Sequence, residues 1–230
     1  MKPRDIAFLV VAGSFAAVFG RLGIWQLSRL AERRQLNTEL ISRAATLPVD
    51  VGAIPSDTGA AHFRRVRLSG AYDFAHEVVL TNRSRAGSPG VDIITPVRIA
   101  GRDTAILVNR GWIYAPDAMT ADLSKWREPV DMTGDAYVEN YYTRAGESRS
   151  PTHSRAYRWM DRTALNQAFP YPIAPYYLVL IGDSGHVAPN IPPRIEVPPL
   201  DEGSHKSYAI QWFSFAAISI FGMILYLRRK

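Results

Sequence analysis

The sequence predicts a membrane protein in which two transmembrane α-helices, one N-terminal and one C-terminal, flank one mainly antiparallel β (α+β) extracytoplasmic domain. Three observations predict it. Residues 6–27 and 208–227 stay apolar over a length that, at ~1.5 Å of rise per residue, covers the ~30 Å hydrocarbon core of a bilayer. Cations gather at the ends of both stretches. Between them the apolar period shortens from helical to two, as half-buried strands require.

The implied organisation is a cytoplasmic tail (1–5), a first transmembrane helix (6–27), a helical extension and linker (28–62), a β-rich extracytoplasmic domain (63–187), a Pro-rich tether (188–207), a second transmembrane helix (208–227) and a second tail (228–230). Lys2 and Arg4 in one tail and Arg228-Arg229-Lys230 in the other place both termini in the cytoplasm by the positive-inside rule. Arg29, Arg33 and Arg34 argue the other way, but a loop of about 180 residues is translocated largely regardless of its charge. A short basic start before an apolar run also fits a cleaved signal peptide. The apolar character that resumes past Arg21 in Leu22-Gly23-Ile24-Trp25, and the lack of a clear small-x-small site, favour an uncleaved anchor. Nothing Arg- and Ser-rich precedes it, and a bacterial cytoplasmic (inner) membrane, crossed twice, is the expected location.

Charge and cysteine content exclude several functions. The chain carries 27 Lys+Arg against 21 Asp+Glu, yet nine of those cations and two of the acids lie in or beside the spans, which leaves 18 against 19 elsewhere. The middle domain is close to neutral, so no nucleic-acid partner is indicated and membrane lipids are the expected surroundings of the basic ends. Zero cysteines exclude a disulfide framework, a thiolate metal centre, covalent c-type haem attachment and a Cys nucleophile. The exported domain must be held by its core, and it is large enough to bury one.

Beyond the first span, residues 29–45 are rich in strong helix formers, with Leu30, Leu36, Leu40 and Ile41 at loosely helical intervals, so the first helix is expected to continue. Residues 48–61 carry Pro, Gly, Ser and Asp and read as a linker. From Phe63 the alternation of two begins, with a turn expected at Gly70, and 76–82, 91–99 and 104–109 repeat the pattern. The connections 85–90 and 100–103 have turn chemistry and make a meander. Residues 130–142 and 176–181 are further strands, 161–169 a short helix beginning at an N-cap aspartate, and 188–200 a Pro-rich extended run.

Four groups of residues then assemble in chain order. Leu22-Gly23-Ile24-Trp25-Gln26-Leu27-Ser28-Arg29 closes the first span; Thr95-Pro96-Val97 and Val108-Asn109-Arg110-Gly111-Trp112 sit in the strand region; Tyr208-Ala209-Ile210-Gln211-Trp212-Phe213 opens the second span. In this combination the chain resembles the Surf1/Shy1 family of haem-copper cytochrome c oxidase assembly factors, over essentially its full length. The resemblance implies a chaperone of the respiratory chain, not an enzyme, that helps place haem a into the large catalytic subunit of the oxidase. The partners implied are that subunit and haem A synthase. It also implies that a histidine at the start of the second span helps hold haem a, and His205 occupies that place. The family usually has Asn-Asn-His-Leu there, where this chain has Gly203-Ser204-His205-Lys206.

Helical spacing adds to the case for His205 as haem-iron ligand. His205, Tyr208, Ala209 and Trp212 share one face at i, i+3, i+4 and i+7, and antiparallel spans would bring Trp25 and Arg29 to the same interface. Arg21, Trp25 and Arg29 form a second stripe at spacings of four. Neutral imidazole can ligate iron, aromatic faces can cover a macrocycle, and arginines can pair with propionates. The cofactor-binding candidates are therefore His205, Arg29, Trp25, Tyr208 and Trp212. Interfacial Trp, Tyr and snorkelling Arg also occur without any ligand, and that reading stays open. Gly13, Ala16, Ala17 and Gly20 read as helix-packing residues.

Asn109-Arg110-Gly111-Trp112 reads first as structural, with Arg110 a lesser candidate for a partner or propionate. Tyr141-Tyr142 and Trp159-Met160-Asp161 read the same way. His62, His76, His153 and His186 show no metal-ligand spacing, and there is no nucleophile elbow, Walker loop or dinucleotide fingerprint. The leading expectation is a haem-handling assembly factor. The alternative is a membrane-anchored protein-binding chaperone or accessory subunit of the oxidase without haem binding; an anchored hydrolase or sensor would need a reactive constellation that the sequence does not display.

Overall fold

The computed structural model describes residues 2–55, 57–182, 189–195 and 200–229. His186 and residues 188 and 196–199 of the Pro-rich run lie outside the described residues. In chain order the elements are α1 (Pro3–Ala44), β1 (Val49–Asp50), α2 (Thr58–Ala61), β2 (Arg65–Tyr72), β3 (Val78–Arg85), β4 (Ser88–Arg98), β5 (Ile106–Tyr114), β6 (Asp131–Asn140), β7 (Ala156–Tyr157), α3 (Arg162–Ala168), β8 (Tyr176–Leu180) and α4 (His205–Arg228). They form two compact units, Met1–Glu39 with Pro199–Lys230, and Leu40–Pro198.

The first unit is helical. α1 runs unbroken for 42 residues because strong helix formers follow its apolar part, so the expected continuation past residue 27 is present. α4 has 24 residues and begins at His205, three residues earlier than the apolar pattern alone suggests. Both helices are long and apolar enough to cross a membrane. Together with the mixed sheet described next, they fit an α+β membrane-anchored protein.

In the second unit the described residues form one eight-stranded sheet in the order β1-β2-β6-β8-β5-β4-β3-β7, with a further pairing of β2 to β4. That pairing closes β2, β6, β8, β5 and β4 into a ring. β4 makes the closure possible by sharing one edge. Its first part pairs with β3 as far as Ile94, and Val97 and Arg98 then pair with Tyr72 and Ala71 of β2. Period-two alternation sends Val66, Leu68, Val97, Ile106, Val108, Ala136, Val138, Leu178 and Leu180 into one cluster inside the ring. The opposite parity, Leu107, Tyr137, Tyr177 and Val179, packs outward against Leu165 of α3. Most strand pairings are antiparallel, as expected, but β1–β2, β3–β7 and β5–β8 are parallel.

Several boundaries differ from the sequence reading for identifiable reasons. Gly70 is not a turn: β2 continues to Tyr72, and a Cβ at Gly70 would lie 2.6 Å from the Arg98 carbonyl oxygen. Glycine is needed there because β2 and β4 approach closely where the ring closes. The β3–β4 turn is only Ala86-Gly87, both at positive φ (49° and 78°), as a two-residue type I′ hairpin demands. The stretch expected as a linker holds β1 and α2, whose N-cap Asp57 accepts a hydrogen bond from the Gly59 amide. The helix at 161–169 is present as α3, capped by Asp161 through the amides of Thr163 and Ala164.

β5 runs five residues beyond the expected Asn109 because a bulge absorbs a change of register. Ile93 pairs with Gly111 and Ile94 with Asn109, which leaves Arg110 as the extra residue. Arg110 is completely buried. Its Nη2 donates to Glu77 at 2.6 Å, its Nη1 to Glu128 at 2.9 Å and to the Trp126 carbonyl at 2.7 Å, and its Nε to the Thr95 hydroxyl at 2.8 Å. Thr95 in turn donates to Glu77, and Arg194 donates to Glu128 at 2.5 Å. Phe74 and Tyr72 place ring faces 5.2 and 5.3 Å from the guanidinium. Two cations and two anions therefore compensate one another in the interior, and the structural reading of this motif is the one the geometry displays. Gly111 is required too, since at φ 140° a Cβ would sit 2.3 Å from the Pro193 carbonyl oxygen.

Removing one member of a buried ion cluster strands the others. Arg110→Ala is expected to destabilise the full chain in detergent by about 3–5 kcal/mol, read as a lower urea midpoint. A pH effect follows from Asp92. Its burial, only partly offset by the Arg83 ion pair and the Asn109 hydrogen bond, pushes the carboxyl up to about 6. A carboxyl that takes its proton more readily in the folded state contributes stability below its ordinary value of about 3.9, and that contribution is lost as pH rises. Unfolding free energy should thus fall by up to about 3 kcal/mol between pH ~4 and ~6 from this group. Asp92→Asn should flatten that part of the profile in urea titrations.

Candidate functional site

The helical unit places the candidates through a regular seam. Over its first 30 residues α1 carries a stripe of buried or partly buried positions, Asp5, Leu9, Ala12, Ala16, Phe19, Gly23, Gln26 and Leu30, spaced alternately by four and three. On α4 they are His205, Ala209, Trp212, Ala216, Ser219, Met223 and Tyr226, with the same alternation. Two such stripes are the pattern of helices that pack knobs into holes. The partners run antiparallel: Asp5 accepts from the Tyr226 hydroxyl at 2.5 Å, Phe8 and Tyr226 rings lie 4.5 Å apart, Phe19 stacks on Trp212 at 5.7 Å, and Gln26 meets His205. Small residues set the separation. The Phe213 ring lies where a side chain on Gly23 would be, within 2.7 Å of a Cβ.

Beyond His205 the same unit is tied by polar contacts. Arg34 and Glu202 form a forked ion pair at 2.8 and 2.9 Å, Arg33 donates to the Asp201 carbonyl, and Asn37 donates to the Leu200 and Asp201 carbonyls. The hydrogen bond from Arg34 holds the Glu202 carboxyl below its ordinary range. The pair is exposed, so it fixes position more than it stabilises.

The five sequence candidates fall into two groups. His205 and Trp212 lie on the seam, while Trp25, Arg29 and Tyr208 are about half exposed. Arg29 stacks 5.8 Å from the Trp25 ring centre and pairs with Glu32 at 2.6 Å. Trp212 is engaged with Phe19 and Phe215, so its ring faces the helix pair. Tyr208, placed with His205 on one face by spacing, stands at the flank of the seam. Among the glycines and alanines of α1, Gly13 approaches Met223, whereas Gly20 has open space before it. With Ala17, Arg21, Ile24 and Trp25, Gly20 lines a shallow apolar hollow on α1.

His205 itself is half-buried at the start of α4. Its Nδ1 lies 2.8 Å from the Gln26 carboxamide oxygen, and Gln26 is only 8 % exposed. Nε2 has no hydrogen-bond partner among the described residues. Gly203, at φ 72°, stands in front of it, and a Cβ there would lie 3.6 Å from Nε2. Ser204 holds the N-cap position of α4 without a side-chain cap hydrogen bond. Gln26, in plain view in the sequence, was not among the candidates; its four-three spacing from Phe19, Gly23 and Leu30 is the signal that could have found it.

The remaining described histidines, His62, His76 and His153, have local partners. His62 pairs with Glu139 at 2.8 Å, and His76 with Asp73 at 2.7 Å. Burial opposes ionisation of Asp73, but hydrogen bonds from Tyr171 and His76 hold its carboxyl below the ordinary range. No group of three or more His, Asp or Glu side chains is placed to share a metal among the described residues.

The chain lacks cysteine, so pairs introduced by mutation report cleanly on the seam. Phe19→Cys with Trp212→Cys should be joined in membranes by a short homobifunctional thiol reagent, shown by a mobility shift on gels. Trp25→Cys with Trp212→Cys should not, because Trp25 points off the seam.

Comparison with known proteins gives the family. The model described as "SURF1 family" matches residues 14–217, which takes in the His205 end of the seam and the whole sheet. A SURF1-like protein of Drosophila melanogaster is 28% identical over 228 residues, covering 90% of this chain and 72% of that protein. A SURF1-like protein of Monosiga brevicollis is 27% identical, covering 91% of this chain and 83% of the relative. One from the bacterium Rickettsia felis is 24% identical, with 96% of each chain covered. On the family match over most of its length, supported by relatives that align over 90% and 96% of it, this chain belongs to the SURF1 family.

Proposed function

We propose that this chain is a non-enzymatic assembly factor for haem-copper cytochrome c oxidase that holds haem a transiently and helps deliver it to the large catalytic subunit. Membership of the SURF1 family supports the oxidase connection. The observation that carries the haem reading is the state of His205: one ring nitrogen is held by the protein and the other is open. A histidine that would hold haem iron offers one open nitrogen and is oriented by a hydrogen bond at the other.

The residues present fit haem in an uneven way. His205 would supply the ligating Nε2. Trp25 and Tyr208, half exposed, would offer aromatic faces beside it, and Arg29 would pair with a propionate at the water-facing edge. Trp212, stacked on Phe19, would contribute by bracing the helix that carries His205. Haem a supplies the redox-active iron and its lipophilic tail; the chain's part is to bind it, orient it and keep it out of bulk water.

The location follows from the same parts. α1 and α4 would span a bacterial cytoplasmic membrane with both termini in the cytoplasm, which leaves the β unit outside and His205 and Trp25 at the outer interface. Haem A synthase is the expected donor, and membrane lipid the surroundings.

Full-length protein purified in detergent from cells making haem A should show a haem a spectrum, and His205→Ala should lower its haem content about tenfold or more. Unchanged absorbance in His205→Ala overturns the haem reading. Co-purification of the large oxidase subunit without any haem spectrum would favour a chaperone that contacts protein alone.

A further inference from the structure

We propose that Gln26 is a positioning residue for His205: its carboxamide oxygen accepts the Nδ1 proton, sets the imidazole in the Nδ1–H tautomer, and aims a neutral Nε2 lone pair outward as the only ligating atom. This deepens the haem reading and rests on it only for the identity of the ligand that Nε2 takes.

The orientation of the carboxamide selects the tautomer. With its oxygen 2.8 Å from Nδ1, as placed here, Gln26 can only accept, so Nδ1 carries the proton and a neutral ring then has its lone pair on Nε2. Gln26 is held in place by its surroundings. It is buried on the four-three stripe of α1, one step from Gly23, whose missing side chain admits Phe213, and one step from buried Leu30. A long polar side chain at such a position has little freedom, and leaving its amide unsatisfied there is costly. His205 is therefore the partner that Gln26 needs as much as the reverse.

The choice of glutamine also sets the strength of the ligand. A carboxylate at the same place would draw the Nδ1 proton, give the ring imidazolate character and bind ferric iron more firmly. A neutral amide orients without that push. A factor that must release its haem is served by such a moderate donor, and the Gly203 backbone at φ 72° keeps the approach to Nε2 free of a side chain.

The test uses full-length protein in nanodiscs, labelled with 15N-histidine, as wild type, Gln26→Leu, Gln26→Glu and His205→Ala. Cross-linking of Phe19→Cys with Trp212→Cys in each background verifies that the helix pair is intact. Without haem, wild type should show His205 as the Nδ1–H form, and Gln26→Leu should lose it for a mixture or the Nε2–H form. With haem, Gln26→Leu should retain about a tenth of the wild-type haem or less, while Gln26→Glu retains it, shifts the iron midpoint potential downward and releases haem more slowly to apomyoglobin. An unchanged His205 tautomer in Gln26→Leu overturns the proposal, as do wild-type haem content and potential in both Gln26 variants of a protein whose haem depends on His205. Haem that persists in His205→Ala refutes the haem reading instead, and the tautomer result alone then decides the role of Gln26.

Discussion

In the lipid surroundings proposed for them, two helices gain nothing by hiding apolar side chains from acyl tails that are equally apolar, so α1 and α4 must pair by shape and by a few polar contacts. The seam has both. Alanine and glycine at 12, 16, 23, 209 and 216 leave room for facing side chains, as Gly23 does for the Phe213 ring, and polar pairs stand at its two ends, Asp5 with Tyr226 and Gln26 with His205. Because an unmatched polar group in such a place is costly, these pairs fix which residues face each other. The direction in which His205 points is a by-product of that pairing.

The family motifs acquire a spatial meaning in this fold. Gly23 and Gln26 of the first meet Phe213 and His205 around the last, and Thr95 of the second meets Arg110 of the third. Each motif is thus half of a contact, one pair building the helical seam and the other the charged interior of the β unit. The two pairs lie in different units and answer to different physics. The seam leaves one nitrogen open, whereas four of the five guanidinium N–H bonds of Arg110 are spoken for by protein groups, which removes it from competition for a propionate.

Much of this was legible in the sequence. Two long apolar stretches, the continuation of α1, the β3–β4–β5 meander and the Asp161 cap all follow from local chemistry, which periodicity and capping report directly. What stayed hidden depends on contacts distant in sequence. Nothing local says that Gly70 serves the close approach of Arg98, that Arg110 occupies a bulge between two glutamates, or that the ring closes through two residues of β4. At the candidate site, spacing puts His205, Tyr208 and Trp212 on one face of α4 but does not tell which part of that face meets α1, so neither the flank position of Tyr208 nor the partnership of Gln26 with His205 is legible from it.

The four-three register has one more consequence, for how this part of the molecule can change in length. Inserting a single residue between Phe19 and Gln26 would swing everything downstream by about 100° around the helix axis, carrying the carboxamide away from the imidazole while leaving hydropathy and charge intact. Seven residues, close to two whole turns, would nearly restore its bearing. Length variation among related chains is therefore expected to spare this interval and to collect in the stretches that join the strands.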